Sequence, residues 1–361
     1  MKKLIIVGGA RPNFMKIAPI IRALEKQSAS FEYRLVHTGQ HYDREMSDVF
    51  FEELGIPKPH FYLEAGGGSH AQQTAKIMVE FEKVCKLESS DWVVVVGDVN
   101  STLGCSIVAK KEHIQVAHVE AGLRSGDWTM PEEVNRVVTD AIADAFFVTE
   151  RTGVENLMKE GKHQDQVHFV GHVMIDNLLY QIEKLDKADT TKLESSGLKR
   201  KYSQYAVLTL HRPSNVDNRE RLEAIIGALT EISKKIPIIF PVHPRTQNNL
   251  KKFGIALNRT IELTKPLSYM DFLNLWRDAK MVLTDSGGIQ EETTAIGIPC
   301  LTLRKNTERP ITIDEGTNIL VGTSPDRIIL EANRILSGQT KEGKIPELWD
   351  GRAAERIVEK L

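Results

Sequence analysis

Cysteine is scarce in this chain, and its spacing does not suit a metal site. Among the 361 residues there are three cysteines, Cys85, Cys105 and Cys300, which are far apart and form no CxxC pair. This usage is typical of proteins of a reducing cytosol, and it argues against a thiolate zinc site.

Long hydrophobic runs and an excess of one charge are also lacking. No stretch approaches the length of a membrane span. The apolar run at residues 4–7 stops at Gly8-Gly9, with Arg11 close behind, which indicates a first strand rather than a signal peptide. The formal net charge of −2 gives no attraction to nucleic acid or membranes, so any anion site must be local. We therefore expect a cytoplasmic protein that binds neither nucleic acid nor a membrane.

Two common nucleotide-binding signatures are absent as well. No GxGxxG follows the first strand, and no GxxxxGK[ST] occurs. Redox chemistry with a dinucleotide and P-loop hydrolysis are both disfavoured as a result.

What the chain does contain is a regular alternation of short apolar runs with amphipathic segments. Continuous β-branched runs such as residues 92–96 are typical of strands buried on both faces, as in a parallel sheet. The length exceeds what one hydrophobic core usually organises, and residues 186–203 read as a surface connection rich in Lys, Asp, Thr and Ser. We predict two open α/β units whose functional loops collect at the carboxyl ends of their strands.

The most informative segment is residues 284–292, which follows an apolar strand and opens a helix. Ser286, Gly287 and Gly288 place small residues at the turn, where the N–H groups of a helix N-terminus can bind phosphate. Glu291 and Glu292 favour the helix dipole, and one of them could accept hydrogen bonds from a ribose. The alternative is an ordinary strand–turn–helix with Ser286 as N-cap.

Three acids follow predicted strands or open a helix in the first half. Asp98 and Glu120 come at strand ends, and Glu132 lies in the first turn of a helix. Asp98 could equally be an N-cap, and Glu132 could simply compensate the helix dipole. Together at one sheet edge they would crowd and raise one another's pKa, as in proton-transferring pairs.

Basic side chains accompany these acids. Arg11 and Lys16 open the first helix, where they would attract an anion unless they are solvated surface cations. His211 and His243 end strands of the second half without the spacing of a metal site, so phosphate or sugar contacts suit them better. Arg309 could reach the same phosphates as the 284–292 turn.

In combination, these segments resemble the non-hydrolysing UDP-N-acetylglucosamine 2-epimerases. The matching motifs run in family order over nearly the whole chain: Ala10-Arg11-Pro12 with Lys16, His37-Thr38-Gly39-Gln40-His41, Gly97-Asp98 with Ser101-Thr102, His118-Val119-Glu120-Ala121-Gly122-Leu123-Arg124, Pro131-Glu132-Glu133 with Asn135-Arg136, His211-Arg212, Pro241-Val242-His243, residues 284–292, and Thr307-Glu308-Arg309-Pro310 with Gly316-Thr317.

The resemblance implies two Rossmann-like domains in a GT-B arrangement, with the active site in the cleft between them. The N-terminal domain would span residues 1–172 and the C-terminal, UDP-binding domain residues 173–350, and a last helix at 351–361 would pack on the first. Uracil would lie near Phe272, with the ribose on Glu292. The implied diphosphate contacts are Ser286, Gly287, Gly288, His211, Arg309 and Arg11, and Arg136 and His243 complete the substrate site.

The implied reaction is inversion at C2 of UDP-GlcNAc to give UDP-ManNAc, through elimination of UDP to a 2-acetamidoglucal and re-addition. Asp98, Glu120 and Glu132 would be the acid/base set, His211 would stabilise the departing UDP, and Lys16 would orient the sugar. No metal or other cofactor is required. The resemblance also suggests a homodimer and a role in surface-polysaccharide synthesis.

Local departures from the family pattern leave the sugar open. The segment Gln40-His41-Tyr42-Asp43 replaces the usual Gln-His-Arg, in a region that helps bind an activating second UDP-GlcNAc in part of the family. The same form occurs in relatives acting on UDP-2,3-diacetamido-2,3-dideoxyglucuronate. Other readings are a GT-B glycosyltransferase, a hydrolysing epimerase and a nucleotide-sugar sensor.

Overall fold

A computed structural model describes residues 1–39 and 50–361, which form two compact units. Met1–Tyr180 and Glu347–Leu361 make the first unit, and Gln181–Pro346 make the second. Each contains one sheet whose paired strands are all parallel. The predicted class, α/β with two Rossmann-like domains, is confirmed.

The first unit has the strands and helices that follow. Its strands are β1 (Lys2–Gly8), β2 (Phe31–His37), β3 (Phe61–Tyr62), β4 (Trp92–Val96), β5 (Gln115–Val119), β6 (Ala145–Val148) and β7 (Val167–Phe169). Its helices are α1 (Arg11–Glu25), α2 (His70–Glu88), α3 (Asn100–Lys111), α4 (Pro131–Ile142), α5 (Arg151–Lys159), the start of α6 (Val173–Lys187), and α15 (Ala353–Lys360), with a 3₁₀ turn at Gln164–Gln166.

The second unit repeats the pattern on a smaller scale. Its strands are β8 (Ala206–Thr209), β9 (Ile238–Pro241), β10 (Ile261–Thr264), β11 (Met281–Thr284), β12 (Cys300–Thr302) and β13 (Asn318–Leu320). Its helices are α7 (Glu194–Lys201), α8 (Pro213–Val216), α9 (Arg219–Ser233), α10 (Pro244–Phe253), α11 (Tyr269–Trp276), α12 (Gly287–Ile296), α13 (Pro310–Asp314) and α14 (Pro325–Leu336), with a 3₁₀ turn at Thr190–Lys192.

Strand order places a crevice at the same point of each sheet. The first sheet runs β3-β2-β1-β4-β5-β6-β7 and the second β10-β9-β8-β11-β12-β13. The order reverses between β1 and β4, and again between β8 and β11. Ligands of doubly wound sheets bind outside the carboxyl ends of strands at such a switch point. The loops after these four strands are therefore the candidate sites.

The continuous apolar runs fold as strands because both faces of each sheet are covered. In β1, Leu4 and Ile6 face one apolar cluster, whereas Ile5 and Val7 face another on the opposite side. All four are almost completely buried, as expected for a parallel sheet with helices on both faces.

The boundary between the units lies within a helix, not before it. We expected it at residues 172/173, but α6 begins at Val173 and the division follows Tyr180. Val173 is buried in the core of the first unit, and the Asp176 carboxylate accepts hydrogen bonds from the N–H groups of Ala353 and Ala354. The first turns of α6 thus belong with α15.

The last helix packs on the first unit. Ile357 and Val358 of α15 share a buried cluster with Ile17 and Ile21 of α1. By contrast, residues 186–203, expected as an irregular connection, contain α7, and Ser195 of this helix donates its N–H and hydroxyl to the Asp271 carboxylate at 3.0 Å. Across residues 1–39 and 50–361, none of the helices has the length and apolar character needed to cross a bilayer.

Candidate active site

The turn before α12 presents the N-terminus of a helix in the second unit. Ser286 stands at the N-cap, but within the described chain its hydroxyl makes no capping hydrogen bond. Instead, the Ser286 N–H donates to Thr284 Oγ1 at 2.9 Å. Added to Gly288, a Cβ atom would meet open space, whereas at Gly287 it would lie 3.0 Å from Glu308 Oε1. Ser286 is therefore the N-cap residue by position but does not cap the helix with its hydroxyl, and the turn has room for a ligand at Gly288.

Asp285, one residue earlier, anchors the loop that follows β8. Its buried carboxylate accepts hydrogen bonds from the His211 N–H at 3.1 Å, the Arg212 N–H at 2.9 Å and the Asn215 side-chain amide at 3.2 Å. The His211 ring places Nδ1 at 2.9 Å from Asp285 Oδ1. Burial alone would raise the pKa of the Asp285 carboxyl, but the donors of His211 and Arg212 lower it overall.

This contact defines how His211 can act. A carboxylate only accepts, so Nδ1–H donates to Asp285 and Nε2 is left to face outward, on a side chain that is 44% exposed. Sequence reasoning missed Asp285, although it follows strand β11 just as Asp98 follows β4. His243 lies close by: its ring centroid is 6.1 Å from that of His211, and its Nδ1 accepts the Arg245 N–H at the start of α10.

Two glutamates of α12 are buried and differently partnered. Glu291 pairs with Arg309, whose Nε lies 2.6 Å from Glu291 Oε1. Glu292 accepts a hydrogen bond from the Tyr269 hydroxyl at 3.1 Å. Burial raises the pKa of Glu292 to about 7, against the lowering effect of that hydrogen bond. Arg309 is therefore held by an ion pair with Glu291 of α12. Glu292 is a hydrogen-bond acceptor whose carboxyl group loses its proton near neutral pH.

A second charged pair supports the same turn. Glu308 contacts Arg304 at 2.7 Å and Arg212 at 3.2 Å. Burial would raise the pKa of Glu308, but the hydrogen bond and charge of Arg304, followed by the charge of Arg309, bring it to about 2. Phe272 lies in the first turn of α11, half-buried, and its N–H donates to the Ser268 carbonyl.

In the first unit, Glu120 occupies an unusual backbone position directly after β5. Its φ is +68°, in the left-handed region that residues other than glycine rarely adopt. The side chain is 3% exposed, and Oε2 forms an ion pair with Lys16 Nζ. A Cβ atom built on Gly97 would lie 3.1 Å from that same Nζ, which shows how closely the strand β4 end approaches the pair. A buried, strained acid is typical of a functional site.

Asp98 has a cation of its own. Its Oδ2 accepts from Arg136 on α4, and Arg136 NH1 lies 2.6 Å from Glu133 Oε2. Glu133 also accepts from the N–H groups of Ser125 and Gly126 at 3.0 Å. Burial raises the pKa of Glu133, but these donors lower it overall. Glu133 is thus a structural anchor for Arg136, and Asp98 is the more accessible acid, with 28% of its side chain exposed.

A buried histidine supports both strand ends. His118 of β5 places Nε2 at 2.9 Å from the Gly97 carbonyl and Nδ1 at 2.6 Å from Asp140 Oδ1. Asp140 Oδ2 accepts from the Gly122 N–H and pairs with Arg124. Burial would raise the pKa of Asp140, but the charges of His118 and Arg124 lower it. The network, which sequence reasoning missed, joins the residues just before Asp98 to those just after Glu120.

The remaining predicted residues of the first unit are more exposed. Arg11 opens α1 and stacks its guanidinium 4.7 Å from the centroid of the Phe50 ring. Glu132 is half-buried in the first turn of α4. Asp98 and Glu120 each form an ion pair with a separate cation, and the crowding of the three acids stays a prediction. Residues 40–43, which bear on a second sugar nucleotide, lie outside the described residues.

In the part of the chain that the structure describes, no group of three or more His, Cys, Asp and Glu residues is arranged to hold a metal ion. The first unit instead presents carboxylates paired with cations, and the second unit, taken by itself, presents a helix N-terminus with an Asp–His pair.

Comparison with known proteins places these features in a family. A family-wide sequence model described as UDP-N-acetylglucosamine 2-epimerase matches residues 22–361. A protein of Methanocaldococcus jannaschii named UDP-N-acetylglucosamine 2-epimerase is 42% identical over 362 residues, covering 99% of this chain and 98% of the relative. A Pseudomonas aeruginosa protein named UDP-2,3-diacetamido-2,3-dideoxy-D-glucuronate 2-epimerase is 38% identical over 362 residues and covers 99% of both chains.

A solved structure is similar over the same length. The crystal structure of the Methanocaldococcus jannaschii UDP-GlcNAc 2-epimerase in complex with UDP-GlcNAc and UDP matches with a TM-score of 0.85 and 42% identity, covering 99% of each chain.

Proposed function

This chain belongs to the UDP-N-acetylglucosamine 2-epimerase family, and from that premise we propose that it interconverts UDP-GlcNAc and UDP-ManNAc by inverting C2 of the sugar. It is an epimerase, and therefore an isomerase. The observation that carries the choice of reaction is the pair Asp98 and Glu120, each held by its own cation at adjacent strand ends. A protein that only binds a UDP-sugar has no need of such acids.

The second unit holds the nucleotide. The N–H groups of Gly287 and Gly288, together with the Ser286 hydroxyl, bind the diphosphate at the positive end of α12, while the Ser286 N–H stays on Thr284. Glu292 accepts hydrogen bonds from the ribose hydroxyls, with Tyr269 orienting its carboxylate. Phe272 lies against the uracil.

Basic groups complete the contacts to the substrate. His211 donates to the phosphates through Nε2 as the imidazolium, the form in which both ring nitrogens are donors, with Nδ1–H held by the Asp285 carboxylate. Arg309, Arg11 and His243 add positive charge around the same phosphates. Arg136 and Lys16 orient the sugar together with the acids that they neutralise.

The reaction balances as an elimination followed by its reverse on the other face. The C1–O bond breaks and UDP leaves with the electron pair, while a carboxylate takes the C2 proton and the C1=C2 bond of a 2-acetamidoglucal forms. A proton then returns to the opposite face of C2 and UDP re-adds at C1. Because a C2–H bond is only weakly acidic, much of the lowering of the activation barrier comes from stabilising the negative charge of the departing diphosphate. Preorganised hydrogen-bond donors aimed at such a charge contribute about 3 kcal/mol each.

Asp98, Glu120 and Glu132 form the acid/base set. Inversion needs a proton acceptor on one face and a proton donor on the other. Glu120 and Asp98 each form an ion pair, with Lys16 and Arg136 respectively, and a neighbouring cation favours the carboxylate form that suits an acceptor. Glu132, half-buried in the first turn of α4, is the third member of the set.

The test is turnover in D₂O followed by proton NMR. UDP-GlcNAc, with no acceptor added, is expected to yield UDP-ManNAc carrying deuterium at C2. Conversion without deuterium would refute elimination and re-addition. Release of free sugar would indicate a hydrolysing epimerase, and a requirement for an acceptor would indicate a glycosyltransferase.

A second substrate is favoured by one specific relative, the Pseudomonas aeruginosa protein, whose printed name specifies a diacetamido-uronate. The same NMR assay with UDP-2,3-diacetamido-2,3-dideoxyglucuronate distinguishes the two. Turnover of this sugar with UDP-GlcNAc left unchanged would move the assignment to the alternative and leave the chemistry intact.

We also propose a cytoplasmic homodimer that acts in surface-polysaccharide synthesis. The three cysteines are free and buried, which fits a reducing compartment. Light scattering on the eluting protein tests the dimer: a mass near twice 40.6 kDa is expected, and a monomer at micromolar concentration would exclude it.

A further inference from the structure

One buried side chain beside Glu120 has no place in the chemistry described above. His172, the residue before α6, is 2% exposed, and its Nε2 lies 3.9 Å from Glu120 Oε1. Lys16 occupies the other carboxylate oxygen, Oε2. The two oxygens of this acid therefore face different donors, one from α1 and one from the start of α6.

The hydrogen bonding of His172 indicates which of its ring nitrogens carries the proton. The Met174 N–H donates to His172 Nδ1 at 3.2 Å. Since Nδ1 is an acceptor, the single ring proton of the neutral imidazole lies on Nε2 and points to Glu120. If Nδ1 also carried a proton, it would face the Met174 N–H as a second donor. The ring would then also be positively charged at the N-terminus of α6, and both effects disfavour the imidazolium. His172 is thus a neutral N–H donor.

The ring is held in place by the segment that returns from the second unit. Trp349 packs edge-on against His172, with ring centroids 5.4 Å apart and planes at 88°. Gly171 has a φ of +89°, and a Cβ atom there would collide with the Leu348 carbonyl. The backbone on both sides of the imidazole is therefore fixed by residues 348–349.

Among the described residues, three other charged groups face this pair or its neighbours. Asp176, one turn further along α6, faces His172 and is itself bound by the N–H groups of Ala353 and Ala354. Asp350 lies near Asp176. Lys16 is the cation that faces Glu120 from α1.

We propose that His172 is a positioning residue for Glu120, a neutral donor that holds the ionised carboxylate in the orientation from which it exchanges a proton with the sugar. The 3.9 Å separation closes to a hydrogen bond when substrate is bound, as catalytic contacts in ligand-free proteins often do. The inference rests on the proposed function, because it assigns Glu120 to proton transfer.

The experiment compares three variants over pH 5 to 10, with UDP-GlcNAc as substrate. His172→Phe keeps a ring against Trp349 and removes the donor. His172→Gln keeps a neutral N–H donor. His168→Gln is the matched control, because His168 is another partly buried histidine, on β7, whose ring packs 5.5 Å from Phe147.

We expect His172→Phe to lower kcat about tenfold or more with KM changed less than about twofold, and to move the acid limb of kcat/KM up by about one pH unit, since a lost donor disfavours the carboxylate. His172→Gln should recover most of kcat and the original acid limb, and His168→Gln should match the parent. An unmoved acid limb in His172→Phe, or a His172→Gln profile like that of His172→Phe, would overturn the proposal.

A second readout keeps this inference separate from the proposed function. Carbon-13 NMR of glutamate-labelled protein, with Glu120 identified through Glu120→Gln, reports the titration of its carboxyl without turnover. If the parent protein fails to epimerise UDP-GlcNAc, the proposed function is wrong, and the titration of the Glu120 carboxyl alone tests its contact with His172. A titration midpoint that is raised in His172→Phe but not in His172→Gln supports the contact, and equal midpoints reject it. Should His172→Phe fail to fold, His172→Leu replaces it in both measurements.

Discussion

Replacing Asp285 with asparagine is expected to weaken both the second unit and its hold on UDP. The carboxylate is fully buried and binds donors from His211, Arg212 and Asn215. An asparagine keeps one oxygen, so the His211 donors that Oδ1 accepts would face an NH₂ group. At about 1.5 kcal/mol for each lost hydrogen bond to a charged group, the two contacts amount to about 3 kcal/mol.

The pH dependence of this loss has a defined sign. The folded-state pKa of Asp285 lies below its ordinary value of 3.8. Its contribution to stability is therefore fully present above about pH 4 and is lost as the pH falls through the folded-state pKa. The difference between the parent and Asp285→Asn should be full at pH 7 and shrink in more acidic buffer.

Function should change together with stability. Asparagine cannot stabilise a positive charge on His211, so we expect UDP affinity to fall about tenfold and kcat about a hundredfold. Urea unfolding followed by circular dichroism measures the loss of stability. Calorimetric titration with UDP measures the affinity, and NMR turnover measures kcat. The control is Asp217→Asn, because Asp217 pairs with Arg245 at the surface, where solvent screens the ion pair and its contribution to stability is small. A loss below about 0.5 kcal/mol for Asp285→Asn at pH 7, or a loss that stays the same as the pH falls far below 3.8, would refute this reasoning.

Three further predictions concern the first unit and its acids. Asp98→Asn and Glu120→Gln should each reduce C2 deuterium exchange at least a hundredfold, because each removes a proton acceptor, while UDP still binds in calorimetry; retained exchange in both would refute the acid/base assignment. Gly171→Ala should destabilise by more than about 2 kcal/mol, since its φ of +89° is compounded by a collision with a backbone carbonyl. The control, Gly254→Ala, has a φ of +69° but meets no atom within 4 Å among the described residues, so it should cost about 1 kcal/mol, and equal Tm values for the two would contradict this. Burial raises the pKa of Asp176 to about 6, so its stabilising contribution is full below pH 3.8 and is lost as the pH rises through 6; Asp176→Asn should flatten this part of the Tm profile between pH 4 and 7, and an unchanged slope would exclude it.

Much of the fold could be predicted from the sequence, because its signals are local. Runs such as residues 92–96 are apolar on every residue, and only a strand covered on both faces accommodates them. An acid that follows such a run lies at the carboxyl edge of the sheet, because all strands of a parallel sheet end there. This rule alone predicts Asp98 and Glu120 as site residues. The same rule applied to β11 would have selected Asp285.

The partners of these residues could not be predicted in the same way. Lys16 and Glu120 are 104 positions apart, and the sequence contains nothing that matches one cation to one acid. That Arg309 contacts phosphate stays a prediction, and nothing in the sequence indicates its ion pair with Glu291. The domain boundary was missed because α6 continues through it without a glycine or a proline to interrupt the helical pattern.

The left-handed backbone at Glu120 and the ion pair with Lys16 act on stability in opposite directions. A glycine at that position would relieve the strained φ of +68°, but it would also leave the largely buried Lys16 ammonium without its carboxylate, which costs more than the backbone gains. Glu120→Gly alone should therefore destabilise the fold. Only a simultaneous replacement of Lys16 would let the backbone gain appear, and such a double variant would lose the acid on which the proposed catalysis depends.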